Sequence, residues 1–463
     1  MNNTLSTVID HTIASQIKPG TKILFATFPA DGHFNPLTGL AMHLKQIGCD
    51  VRWYTAKKYA NKLQQLDIPH YDLVRALDFA SGEPDEIFPE RKQHKSQLAK
   101  LKFDIINVFI KRGPEFYDDI KEIHQTFPFE VMIADVAFTG TPMVKEKMNI
   151  PVITVGILPL PETSKDLAPY GLAITPNYSF WGKKKQTFLR FVADQVLFRK
   201  PYLVMKEMLA DYGIKPDGNL FSTLIRKSSL VLQSGTPGFE YFRSDLGHNI
   251  RFAGALLPYT TQKQTTPWYN KKLEQYDKVI LVTQGTVEKD VEKIIVPTLE
   301  AFKDSDCLVV VTTGGSRTLE LRLRYPQNNI IIEDFIPFGD VMPYADVYIT
   351  NGGYGGVMLG IENQLPMVVA GVHEGKNEIC ARVGYFQLGI NLKTEQPIPA
   401  QIRNSVEEIL SNVVYKKNVV KLSKEFAQYK PNELCAKYVA QLVQQESSSQ
   451  KVNVAAVEAV LEA

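Results

Sequence analysis

The opening of the chain constrains its fold most. A short apolar run, Lys22 to Phe28 (KILFATF), breaks into the loop PADGHFNP, through which a strand cannot continue. Helical spacing follows at once. Asn35 is a good N-cap and Pro36 suits the first helical position. Leu37, Leu40, Ala41, Leu44 and Ile47 then share one face, and Gly48 closes the C-terminus. Asp50 to Tyr54 resumes as a strand. This β-α-β opening predicts a parallel sheet with right-handed crossovers, in which ligands sit beyond the C-terminal strand ends.

The pattern recurs through the chain. Val131 to Ala134, Pro151 to Ile157 and Leu230 to Gln233 read as further strands of a first half, with helical stretches such as Lys145 to Met148 between them. From Pro258 to Lys278 the apolar runs give way to Thr, Gln and Lys, the composition of an interdomain linker. A second α/β series follows, with strands expected at 279–283, 308–312, 329–333, 347–350 and 367–370 and a helix over Val291 to Phe302. Pro431 and Asn432 introduce a last helix to about Gln445. A length of 463 residues, 44% apolar and 22% charged, suits two cores rather than one. The expected fold class is therefore α/β, two Rossmann-like domains with parallel sheets. The divisions are an N-terminal extension at 1–20, a first domain at 21–257, a linker at 258–278, a second domain at 279–430, a C-terminal helix at 431–445 packing back on the first domain, and a tail at 446–463.

Composition narrows the partners. A net charge of +2, with both signs interspersed, offers no footprint for nucleic acid. No run of about 18 apolar residues occurs, so no spanning helix is expected, and a membrane is not among the expected partners. The first twenty residues lack an apolar h-region and fail as a signal peptide. Cys49, Cys307, Cys380 and Cys435 are scattered with no CxxC pair, which disfavours disulfides and thiolate metal sites and suits a reducing cytoplasm. Oligomeric state is not legible.

Several candidate groups fall at strand ends. His33 lies where the first strand meets its loop, and an imidazole titrates near neutral pH, which suits it to take a proton from a hydroxyl. Asp135 ends the run VMIA, placed to fix the tautomer of a histidine, although an Asp there also serves as a helix N-cap and the residues alone leave the choice open. The turns TTGG (Thr312 to Gly315, including Gly314) and TNGGYGG (Thr350 to Gly356) follow predicted strands, where backbone N–H groups and a helix end favour anions. Neither matches a Walker A loop or GxGxxG. Thr286, in the loop QGT, offers a hydroxyl to the same anion. Phe28, Phe34, Phe88, Phe109 and Phe138 fall in first-half segments that can face a cleft, and aromatic faces suit planar ligands.

Taken together, PADGHFNP, DFIPFGDVMPYADVYITNGGYGG and QLPMVVAGVHEGKNE resemble the family 1 nucleotide-sugar glycosyltransferases, in particular the bacterial macrolide-transferase-like members that act on flavonoids and other polyphenols. The likeness spans roughly Lys22 to Gln445. It implies the GT-B architecture of two facing domains, acceptor site in the first and donor site in the second, and an inverting reaction with no metal and no cofactor beyond the nucleotide-diphosphate sugar co-substrate. It implies that His33 deprotonates the acceptor and Asp135 supports it. It places Phe335 against the base with the Ile336 backbone beside it, and Asn351, Gly353, Gly355 and Gly356 at the diphosphate.

The chain departs from the family pattern at several positions. Asn351 stands for a usual His, Gly356 for Ser and Phe338 for Gln. Leu359 replaces the ribose-binding Glu, which favours a thymidine over a uridine nucleotide. Gly375 and Lys376, beside Glu374, replace the Asp-Gln pair that holds sugar hydroxyls, which suits a less hydroxylated sugar such as rhamnose. The expected partners are a TDP- or UDP-sugar, rhamnose or glucose, and a small phenolic acceptor, with a macrolide or other natural product as the alternative. Two rivals differ in class. A nicotinamide oxidoreductase lacks its glycine fingerprint here, and a nucleotide-sugar-binding activator of a partner transferase has no need of both His33 and Asp135.

Overall fold

The protein is described by a computed structural model over residues 17–82, 84–260, 267–285 and 288–445. Thr286, most of the N-terminal extension, the middle of the 258–278 segment and the 446–463 tail lie outside the described residues.

Among the described residues thirteen strands form two sheets, all paired in parallel. The first contains β1 (Lys22–Ala26), β2 (Asp50–Tyr54), β3 (His70–Tyr71), β4 (Val131–Asp135), β5 (Val152–Gly156), β6 (Leu230–Ser234) and β7 (Ile250–Gly254), in the order β3-β2-β1-β4-β5-β6-β7. The second contains β8 (Lys278–Thr283), β9 (Cys307–Thr312), β10 (Ile330–Glu333), β11 (Val347–Thr350), β12 (Met367–Val369) and β13 (Gly389–Asn391), in the order β10-β9-β8-β11-β12-β13. Each order reverses beside its first strand, between β1 and β4 and between β8 and β11. Such a switch point opens a crevice at the strand ends.

The central strands are apolar runs with no alternation because helices cover both sheet faces. β4 and β5 are buried at every position. One core of the first lobe gathers Phe25, Trp53 and Leu44, and it includes Cys435, Ala436, Val439 and Ala440 of the 431–445 helix, which returns from the second lobe. Within the 258–278 segment, Trp268 donates its N–H to Asp340 and Lys271–Glu274 forms a single 3-10 turn.

Four elements differ from the sequence expectation. β3, β7 and β13 are additional edge strands: β3 and β13, of two and three residues, are too short to carry a period of their own, and in β7 Arg251 and Gly254 break the apolar run. The first helix does not begin at an Asn35 cap. A helical turn over Asp31–Phe34 and a 3-10 turn over Asn35–Leu37 precede the helix Thr38–Gln46, and the Asn35 amide oxygen instead accepts from Lys62. His33 therefore stands on a helical turn rather than on open loop.

Candidate functional site

At the first switch point, β1 and β4 run side by side, so residues following Ala26 meet Asp135 although the sequence separates them widely. His33 Nδ1 lies 2.6 Å from Asp135 Oδ1. The Phe28 N–H donates to Asp135 Oδ2 at 2.6 Å and the Ala137 N–H to Oδ1 at 2.8 Å. Both carboxyl oxygens already accept backbone N–H groups, so Asp135 is an acceptor toward Nδ1 as well. In the neutral imidazole this puts the proton on Nδ1 and makes Nε2 the acceptor. The Asp135 side chain is fully buried and that of His33 is 19% exposed. A buried carboxylate thus holds a partly exposed imidazole.

An aromatic row leads away from this imidazole. Phe28 lies 5.4 Å from the His33 ring and stacks on Phe109 at 4.9 Å and on Phe79 at 5.8 Å; Phe79 continues to Phe88, and Phe88 meets Phe103 edge-on. Phe109 ends a π-helical turn, Ile105–Phe109, and such an insertion re-aims the side chains that follow it. The expected Phe28, Phe88 and Phe109 are brought together. Phe34 and Phe138 are not. Phe34 is buried between Trp53 and Tyr59, and Phe138 packs on Phe116 and against Tyr54. Both are core side chains because their positions turn them onto the helix layers, away from the strand ends. Phe79 and Phe103, unremarked in the sequence, complete the row; the only sequence signal for them was their closeness to Phe88.

The second switch point carries the glycine turn. The helix Tyr354–Glu362 starts after Gly353, directly beyond β11. Asn351 ties this turn to the end of β8: its Nδ2 donates to the Gln284 carbonyl and its Oδ1 accepts from the Gly353 N–H at 3.2 Å. The Gly353 amide is thereby engaged, and one N–H of Asn351 remains for a ligand. Gly352 has a φ of 75°, and a Cβ there would lie 2.3 Å from Cys380 Sγ, so only glycine fits. Gly355 opens onto space in which an added Cβ would meet nothing within 4 Å. The first turn of this helix, Tyr354, Gly355 and Gly356, precedes its first intrahelical amide bond, Val357 N–H to the Gly353 carbonyl, and there an anion gains both hydrogen bonds and dipole.

The TTGG turn is different. The Gly314 N–H donates to the Asp334 carbonyl and the Gly315 N–H to Thr313 Oγ1, so this turn has no free amide for a phosphate. Gly314 serves the backbone geometry, with a φ of 64°. Phe335, 69% exposed, stands over Gly315, while Ile336 is buried beneath. Glu374 and Gly375 both adopt positive φ, and Lys376 begins the helix Lys376–Tyr385 with its Nζ 2.6 Å from Glu374 Oε2. Among the described residues no group of three or more His, Cys, Asp or Glu converges to hold a metal ion.

The lobes meet around these strand ends. The Tyr354 hydroxyl donates to the Ser234 carbonyl at the end of β6, at 2.7 Å. Leu158, two residues beyond β5, packs against the second lobe's core, and a Cβ on Gly375 would contact both Leu158 and the Tyr170 hydroxyl. Beside them Arg382, buried, bonds Glu240 of the first lobe through Nε at 3.0 Å and Glu378 on its own helix through Nη1 at 3.0 Å. Glu378 in turn accepts the N–H groups of Gly171 and Ala173. Neither this charge cluster nor Tyr354 was singled out in the sequence, where an Arg four residues after a Glu reads as a solvated helix pair.

A model of the erythromycin biosynthesis protein CIII-like C-terminal domain matches residues 297–441. The chain is 31% identical over 413 residues to 4'-demethylrebeccamycin synthase of Lentzea aerocolonigenes, covering 88% of this chain and 96% of that protein. It is 29% identical over 431 residues to UDP-glycosyltransferase 2 of Phaeomoniella chlamydospora, covering 89% and 93%. The solved structure of the glycotransferase of kitacinnamycin superposes with a TM-score of 0.70 at 16% identity, covering 92% of this chain and all of that one, a likeness of fold.

Proposed function

Because the chain belongs to the family 1 nucleotide-sugar glycosyltransferases of GT-B architecture, we propose that it moves a hexose, rhamnose or glucose, from a TDP- or UDP-sugar to a hydroxyl of a small aromatic acceptor such as a flavonoid, with inversion and without a metal. The observation that carries this reading is the 2.6 Å contact of His33 with Asp135 at the foot of the aromatic row.

In the mechanism, an acceptor slides along Phe28, Phe79, Phe88 and Phe109 until its hydroxyl meets Nε2 of His33. The imidazole takes the proton as the oxygen attacks the anomeric carbon from the face opposite the diphosphate. Asp135 stabilises the cation that forms on the ring. On the donor side, Phe335 offers its face to the base. Gly355, Gly356 and the remaining Asn351 N–H receive the charge that develops on the leaving diphosphate. Glu374 and Lys376 contact the sugar. Leu359, half-buried against the second core, has no acceptor for ribose hydroxyls, which favours a TDP-sugar.

A macrolide or other natural-product acceptor is the second reading, favoured by the likeness to the Lentzea 4'-demethylrebeccamycin synthase and to the erythromycin biosynthesis C-terminal domain. Purified protein incubated with TDP-rhamnose or UDP-glucose and a mixed phenolic and macrolide panel, read by mass spectrometry, tests both. Glycosylated phenols formed with TDP-rhamnose are expected. A strong UDP-glucose preference sinks the donor assignment, macrolide products alone sink the acceptor assignment, and no product in any arm sinks the enzyme.

A further inference from the structure

Outside the cleft, one helix is built inside out. Phe180–Val192 is pinned by its small and polar side: Gly182 and Gln186 are buried, and the Gln186 amide bonds the Asp166 carbonyl and the Asn177 N–H. Ser179 caps the first turn through the Gly182 N–H. The opposite side carries Phe180, Phe188 and Phe191 at helical spacing, with Trp181 beside them. These four rings and the following Val196 are 62% to 79% exposed. Lys184 lies among the rings, its Nζ 5.7 Å from the Phe180 centroid. From 180 to 206 the exposed cations are Lys183, Lys184, Lys185, Arg199, Lys200 and Lys206, against the single acidic Asp194.

We infer that this face docks on an anionic lipid surface, lying in the interface without crossing it. Water-facing aromatics of this number mark an interaction site, and Trp and Phe ringed by Lys match the chemistry of a headgroup boundary. Charge chooses the partner. A second copy placed symmetrically on the same face sets Lys184 and Lys185 against themselves, whereas an anionic bilayer neutralises them. Among the described residues no helix is long and apolar enough to cross a membrane, which agrees with surface docking.

The test is vesicle flotation of the full chain on phosphatidylcholine with or without about a third phosphatidylglycerol. Wild type is expected to float with the anionic vesicles, less so in high salt, and to remain free of the neutral ones. Lys184→Gln with Lys185→Gln should lower partitioning roughly 25-fold, from about fivefold per lysine, and Phe188→Ser with Phe191→Ser should abolish it. Both variants should keep the wild-type thermal midpoint, since neither touches the buried side of the helix. Absence of wild-type flotation, flotation equal in both variants, or a wild-type dimer by light scattering that the aromatic variant dissolves would each overturn the inference. So would flotation that occurs only after removal of residues 446–463.

Discussion

At Asp135 two oxygens accept three partners: the Phe28 and Ala137 amides and the His33 ring. An amide in its place has one oxygen and one NH2, so it must either present the wrong group to a backbone N–H or turn its donor toward Nδ1 and reverse the tautomer. Asp135→Asn should therefore lower kcat by on the order of 10²-fold or more, near the worth of a positioned base. His33→Ala should cost a similar factor, with nucleotide affinity changed by less than about twofold in both variants. Steady-state turnover alongside nucleotide titration checks this, and a kcat equal to wild type contradicts the role. The carboxylate, the imidazole and the amides that hold them act as one unit, so the double variant should lose little more than either single one.

Among elements, the turn between β11 and the helix Tyr354–Glu362 separates two uses of glycine. Gly352→Ala forces a Cβ onto Cys380 Sγ at a positive φ and should destabilise by about 1–3 kcal/mol. Gly355→Val adds a Cβ that meets nothing within 4 Å, while its side chain stands over the helix end. It should keep the thermal midpoint and lose nucleotide affinity. Thermal scanning paired with nucleotide titration distinguishes them; full nucleotide affinity in Gly355→Val removes this helix end from the diphosphate site. On the acceptor side, Phe109→Ala should raise the acceptor KM about tenfold while leaving kcat within a few fold, since it removes one stacking face and no reacting group.

Across the whole molecule, Arg382 couples the lobes. Its removal strands the buried Glu240 and Glu378 carboxylates, so Arg382→Met should cost about 3–5 kcal/mol in a denaturant titration. Burial alone would raise the Glu240 carboxyl, but Arg382 and Arg243 beside it outweigh burial and hold it below the ordinary glutamate value. A depressed carboxyl contributes its stability above the unfolded value, about 4.3, and loses it as pH falls through the lower folded one. Stability followed against pH should accordingly drop below about pH 4 in wild type. Glu240→Gln should start lower and fall less steeply; an unchanged acid limb means that this pair does not carry the linkage.

Strand runs, the β-α-β rhythm and the strand-end placement of His33, Asp135 and TNGGYGG were legible because each is written in local periodicity and turn chemistry. That His33 meets Asp135 depends on β1 lying next to β4, a choice of sheet order that no local pattern encodes. The same limit explains the aromatics: a Phe in sequence looks alike whether it joins the stacked row beside His33, as Phe109 does, or fills a core between other rings, as Phe34 does. It explains the amides too, since Gly314 and Gly355 sit in similar glycine turns and only the packing around them shows which N–H is already engaged. Sequence by itself determined which chemical groups stand at strand ends. Tertiary structure alone decided which of them touch, because burial and pairing arise from residues far apart along the chain.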